Sequence, residues 1–154
     1  MVTLARTQER ELRAWLYGRA PALAGARLRD AVDAMAGRVE REQHAKVEAI
    51  VVGDTDMDER ALALVSAVGE ATLNAARHSG STEVSVYVEV EDDAISAYVR
   101  DHGAGFDPGA VAADRRGIAD SIIGRMERHG GSAVVNSRPG AGTEVVMRLP
   151  RRAP

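Results

Sequence analysis

Cysteine is absent from the 154 residues, which excludes disulfides, thiol nucleophiles and thiolate metal sites. Aromatic residues make up only 3% of the chain, so a core has to be built from Val, Leu, Ile and Ala. No apolar run approaches the roughly 18–20 residues of a membrane span, and no signal peptide is visible. The chain therefore reads as cytoplasmic, without direct membrane contact of its own, and a membrane-anchored parent protein stays open. A basic excess is also missing: 20 Lys and Arg stand against 23 Asp and Glu, for a net charge of −3. A nucleic-acid binder would show a basic stripe instead. There are no internal repeats or low-complexity tracts. What remains, 45% hydrophobic and 28% charged residues, is the composition of an ordinary globular domain, and the length allows one domain with a short appendage.

Periodicity divides the chain. Residues 1–17 place Leu4, Leu12, Trp15 and Leu16 among Arg6, Arg10 and Arg13, a helical pattern stopped by Gly18 and Pro21. Leu28, Val32, Met35 and Val39 predict a helix over 27–43, charged on its other face as a helix lying on a sheet would be. Lys46–Val52 reads as a strand ended by Gly53 and Asp54. Asp58 caps or opens a central helix, and Asp56 and Glu59 add negative charge where the helix dipole favours it. His78-Ser79-Gly80 ends that helix. Val84, Val86, Val88 and Val90 alternate with Ser85, Tyr87 and Glu89, and Ile95, Ala97 and Val99 lead to Asp101. With Glu91-Asp92-Asp93 between them, these two strands form a hairpin. Gly103 to Arg116 holds Gly103, Gly105, Pro108 and Gly109 and shows no periodicity, which reads as a functional loop. Ile118, Ile122 and Met126 predict a helix over 117–129, and Val134–Ser137 with Thr143–Leu149 a last hairpin. Arg151–Pro154 reads as a frayed tail. The inventory is α+β: a two-layer α/β sandwich whose mixed, mostly antiparallel five-stranded sheet is covered on one face by three helices. Residues 1–20 form an N-terminal helical segment, 21–150 the main domain and 151–154 the tail.

Three stretches carry chemistry. The first is S-A-V-G-E-A-T-L-N-A-A-R-H-S from Ser66 to Ser79. Ser66, Glu70, Asn74 and Arg77 fall at spacings of four, four and three, on one face of an otherwise apolar helix. Such a line faces solvent or a ligand. Gly69 and Asn74, both poor helix formers in mid-helix, favour the ligand. The second stretch, Tyr98-Val99-Arg100-Asp101-His102-Gly103-Ala104-Gly105-Phe106, runs a strand into Asp-x-Gly-x-Gly; on its own it equally suits a turn Asp followed by turn glycines. The third, Arg138-Pro139-Gly140-Ala141-Gly142-Thr143, is a Gly-rich hairpin before a strand.

In this order and at these separations the three motifs resemble the catalytic ATP-binding domain of sensor histidine kinases, the Bergerat-type nucleotide fold shared with gyrase, Hsp90 and MutL. The resemblance covers about Arg27 to Pro150 and is nearest to the short-lid kinases paired with LuxR-type response regulators. It implies ATP and Mg²⁺ as ligands. Asn74 becomes the Mg²⁺ ligand, in keeping with the preference of that ion for one or two protein oxygens plus phosphates. Glu70 would accept a proton from the nucleophile or fix a Mg²⁺-bound water. Arg77, where the family often has Lys, would meet phosphate, and His78 matches the family's His or Tyr, although a helix-end His also suits the dipole. Asp101 would accept the adenine amino group, Gly103 and Gly105 would let the backbone pass close to the base, and Thr143 would join Asp101 and a water there. Gly117 and Ile118 would open a helix whose N–H groups face phosphate. Residues 1–20 would be the end of a dimerisation helix; a helix packed on its own domain is the alternative. A homodimer is implied only with the full dimerisation region.

The chain departs from the pattern at Asp114, where the family's Gly-x-x-Gly has its first glycine; Arg115 and Arg116 could serve as phosphate donors or be a solvated pair. None of His44, His78, His102 and His129 lies in the Glu-Leu-His-Asp-like context of a phosphoacceptor. The resemblance then implies the histidine-bearing dimerisation domain and the response regulator as separate partners. Two other functions fit the same motifs: an anti-sigma-type serine kinase, and a nucleotide-gated interaction module without catalysis.

Overall fold

Strict alternation over residues 83–90 and 94–101 makes two strands of one hairpin, and the remaining elements assemble around it. The computed structural model describes residues 26–78, 83–105 and 113–151, the side chains of His78 and residues 113–118 excepted. The helix predicted over residues 1–17, with Trp15 and Leu16, lies outside them. In chain order the elements are α1 (Leu28–Gln43), β1 (Lys46–Val52), α2 (Glu59–His78), β2 (Glu83–Val90), β3 (Ala94–Asp101), α3 (Ala113–Arg128), β4 (Ser132–Ser137) and β5 (Thr143–Pro150). The sheet order is β1-β2-β3-β5-β4. Among the described strands only the β1–β2 pair is parallel, because α2 carries the chain back between them; the other pairs are antiparallel.

The inward side chains of the sheet, Val84, Val86 and Val88, Ile95, Ala97 and Val99, and Val145, Met147 and Leu149, meet Leu28, Val32 and Met35 of α1, Leu64, Val65 and Val68 of α2, and Ile122 and Met126 of α3 in one core. Among the described residues no helix covers the opposite face. One apolar row crosses it from strand to strand, Ile50, Tyr87, Tyr98, Val146 and Val134 in register. The Tyr87 and Tyr98 rings are 6.0 Å apart, a cross-strand contact of the kind that stabilises sheets.

Caps fix the helix starts. Asp58 Oδ1 accepts from Ala61 N at 2.7 Å, the expected N-cap of α2. The cap of α1 comes from a distance: Asp54 Oδ1 accepts from Arg29 N at 3.1 Å and from Thr55 N at 2.8 Å, and Arg27 bridges Asp54 and Asp56. Desolvation alone would raise the Asp54 carboxyl; the two N–H donors and the Arg27 guanidinium outweigh it and hold the group below the usual carboxylate range.

Two expectations change. The loop after Gly103 ends earlier, since α3 starts at Ala113 and takes in Asp114, Arg115 and Arg116. The tail is less frayed: Arg151 N donates to Asp93 O, and its guanidinium donates to Glu91 O and Thr55 Oγ1. Residues 152–154 lie outside the described residues.

Candidate functional site

Topology gathers the motifs at one end of the sheet. Four residues join α2 to β2, so Asn74, Arg77 and His78, in the last turns of α2, stand at the end where β2 begins. There Val84 of β2 is in register with Asp101, and Asp101 with Thr143 of β5, which pairs with Ser137 of β4. The helix α3 starts from the same end at Ala113 and runs back antiparallel to α2. At its far end Arg60 of α2 donates through Nε and Nη2 to His129 O, each at 3.1 Å.

Burial grades the polar line on α2. Ser66 and Glu70 are 1% and 6% exposed, Asn74 is half-buried, and Arg77 is exposed. A solvated face is thereby ruled out for the first two residues; the line begins in the core and opens at the end of the sheet. Glu70 Oε2 accepts from Arg125 Nη1 of α3 at 2.8 Å. Arg125 is itself 1% exposed. Asn74 Oδ1 is buried and accepts from no described residue. The Ser66 hydroxyl is likewise buried without a described partner, and nothing in the structure explains it.

Asp101, 3% exposed, closes β3, and its Oδ1 accepts from Gly103 N at 2.9 Å. This Asx turn supplies the donor that a buried carboxylate needs and turns the chain away from the sheet. The Gly-rich hairpin then docks on the Asp-x-Gly-x-Gly segment through backbone. Gly140 N donates to Ala104 O, and Gly105 and Gly142, at φ +65° and +75°, have no room for a side chain. A Cβ on Gly142 would overlap the Asp101 carbonyl, and one on Gly105 the Arg138 carbonyl. The Thr143 hydroxyl lies 2.8 Å from Ser137 Oγ. It sits beside Asp101 by register, but its described partner is Ser137.

Gly142→Ala is expected to cost roughly 2–4 kcal/mol, the sum of a left-handed backbone and an overlap with main chain. Gly140, at φ +79° with nothing within 4 Å of a Cβ, is the control; Gly140→Ala should cost only about 1–2 kcal/mol. Urea unfolding of the two variants measures the difference. Equal costs would mean that the hairpin does not press on Asp101.

The family comparison bears on what this end of the sheet is for. Residues 59–153, from the start of α2 onwards, match the family described as "Histidine kinase-, DNA gyrase B-, and HSP90-like ATPase". The chain belongs to this family. Its curated relatives include the signal transduction histidine-protein kinase/phosphatase DegS of Bacillus subtilis, 30% identical over 112 residues, covering 68% of this chain and 29% of DegS. The sensor histidine kinase LiaS of the same organism is 34% identical over 83 residues, covering 54% of this chain and 23% of LiaS. The chain thus spans less than a third of the length of either relative. Among solved structures, the histidine kinase domain of a blue-light activated histidine kinase from Erythrobacter litoralis aligns with a TM-score of 0.70 at 19% identity, over 95% of this chain and 74% of that one. The ATP-binding domain of PrrB from Mycobacterium tuberculosis aligns with a TM-score of 0.66 at 21% identity, over 83% and 96%. Family and fold expected from the three motifs are borne out.

Within this family fold the candidate residues fall into place unequally. Glu70, Asn74 and Arg77 share one face, and Asp101, Gly103, Gly105 and Thr143 meet at the strand ends. Gly117 and Ile118 do not open α3. They lie in its second turn, and the N–H groups left without helical acceptors belong to residues 113–116. The His78 side chain lies outside the described residues. Sequence reasoning missed Arg125 and Ser137. Arg125 left a signal, since it falls seven residues after Ile118 and three after Ile122, on the apolar stripe of α3, where a guanidinium requires an acidic partner.

Proposed function

We propose that the chain is the ATP-binding catalytic domain of a two-component sensor histidine kinase, presenting the γ-phosphoryl group of ATP to a histidine on a separate dimerisation segment. Asn74 carries this reading. Its Oδ1 is a buried acceptor with no donor among the described residues. An acceptor left in that state costs about 1–3 kcal/mol. A neutral amide oxygen one helical turn from a carboxylate suits Mg²⁺, which takes one or two protein oxygens and completes its shell with waters and phosphates. The residues present fit the ion: Asn74 would hold it, and the charge it supplies would neutralise the phosphates.

The chain's own groups divide the remaining work. Asp101 accepts the adenine amino group, while Gly103 and Gly105 bring the backbone against the base. Arg77, at the open end of the line, meets phosphate with its planar fork, with His78 beside it. Glu70 takes a proton from the attacking nucleophile or fixes a water beside the phosphates. The first N–H groups of α3 face the phosphates, at residues 113–116 instead of at Gly117 and Ile118. Thr143 supports Asp101 from the neighbouring strand. The short connection from Gly105 to Ala113 and the likeness to DegS and LiaS support a short-lid kinase on the cytoplasmic side, working with a LuxR-type response regulator.

Incubated with Mg²⁺ and γ-labelled ATP, the chain is expected to bind nucleotide and to leave no acid-labile label on itself, because no histidine stands in an acceptor motif. Addition of the parent kinase's dimerisation segment should produce acid-labile label on that segment. Acid-stable label would indicate a serine kinase, and binding without any transfer a nucleotide-gated module; either would overturn the proposal.

A further inference from the structure

The Glu70–Arg125 contact is a fully desolvated ion pair between two helices. Taking such ions out of water costs several kcal/mol each, and replacing a buried pair by apolar residues is often neutral or stabilising. Stability alone therefore gives little reason for an arginine here, the more so because Ile122 and Met126, its neighbours on α3, already pack into the core. A glutamate on α2 has three side-chain torsions, so a contact from another element can decide the direction of its carboxylate. Arg125 Nη1 at 2.8 Å fixes it from a second element.

We propose that Arg125 is a positioning residue for Glu70. Through the ion pair α3, and not α2 alone, sets where the Glu70 carboxylate stands for phosphoryl transfer. The inference rests on the role given to Glu70 above. Arg125 lies on α3 roughly 18 Å from Ala113, at about 1.5 Å per residue, away from the first turn that is proposed to face the phosphates, and its Nη1 meets the Glu70 carboxylate. The pairing of Arg60 with His129 O pins the adjacent end of α3 to the first turn of α2. That contact ties the two helices about one turn of α3 beyond Arg125. A change in the course of α3 at its nucleotide end reaches Glu70 through Arg125.

The test uses the full chain together with the parent's dimerisation segment, and reads the transfer rate at saturating Mg²⁺-ATP and the affinity for ADP separately. Arg125→Lys keeps the charge but loses the fork geometry. It is expected to slow transfer about 10–100-fold, the scale of a roughly 1 Å misplacement, with ADP affinity within about threefold of the parent chain. The charge swap Glu70→Arg with Arg125→Glu restores a pair between the helices but moves the carboxylate to α3. It should recover most of the thermal midpoint and none of the transfer. Recovery of transfer in the swap, or a parental rate for Arg125→Lys, would reduce Arg125 to a structural tie. Glu70→Gln separates the two claims. If Glu70→Gln is slow while Arg125→Lys is not, only the positioning fails; if Glu70→Gln transfers at the parental rate, the role of Glu70 fails and the positioning with it.

Discussion

Arg125→Met is expected to destabilise the empty domain by roughly 3–5 kcal/mol, the cost of leaving a buried charge without its partner. Glu70 is 6% exposed, so once the guanidinium is gone water cannot reach the carboxylate in compensation. Against the roughly 5–15 kcal/mol of total stability usual for a domain, this is a large fraction, and the thermal midpoint should fall by about 10 °C or more. The double variant Glu70→Leu with Arg125→Met removes both charges and is expected to regain most of the loss, because two apolar side chains then meet in the core. Urea unfolding of the parent, the two single variants and the double variant closes a cycle. A loss below about 1 kcal/mol in Arg125→Met would show that the pair is solvated in solution, and the account of Glu70 would go with it.

Wild-type chain is expected to bind ADP at least about tenfold, and nearer a hundredfold, more tightly than GDP. Ionised Asp101 offers only acceptors. Its Oδ1 is already taken by Gly103 N, and the proposed role gives the other oxygen to the base. Adenine presents an amino donor to that oxygen, whereas guanine presents a carbonyl, and two acceptors would face each other in a dry site. A hydrogen bond to a charged group contributes roughly 1.5–3 kcal/mol, and each 1.4 kcal/mol is about a factor of ten. Asp101→Asn can keep its oxygen on Gly103 N and turn its amide nitrogen to the base. It should therefore lose ADP affinity by about the same factor and narrow the gap to GDP. Calorimetry with both diphosphates decides the matter. Equal binding by the wild-type chain would remove Asp101 from base recognition.

Much of this architecture is legible in the residues. Alternation places Val84, Val86, Val88 and Ile95, Ala97, Val99 on one face because the strand period is two, and β1 begins and ends at the predicted residues. Asp58 marks the start of α2 because an N-cap is a local hydrogen bond. The three motifs identify the family because their residue types stay within short stretches of chain. Local signals fail at α3. Asp114, Arg115 and Arg116 show no apolar periodicity and Gly117 looks like a start, yet the helix begins at Ala113. Charged side chains are compatible with a helix whose stability comes from packing further along, at Ile122 and Met126.

What tertiary structure alone decided lies between elements. Sequence places Ser66, Glu70, Asn74 and Arg77 on one line, but it cannot grade that line from core to surface, because burial depends on what α3 and the sheet cover. It shows an arginine on the stripe of α3 without naming its partner, since Glu70 lies 55 residues earlier in the chain. It shows glycines at 105 and 142 without showing that each lies against a carbonyl of the other's segment. Those contacts form only once β3 and β5 are in register, and register between distant strands is fixed by the whole core.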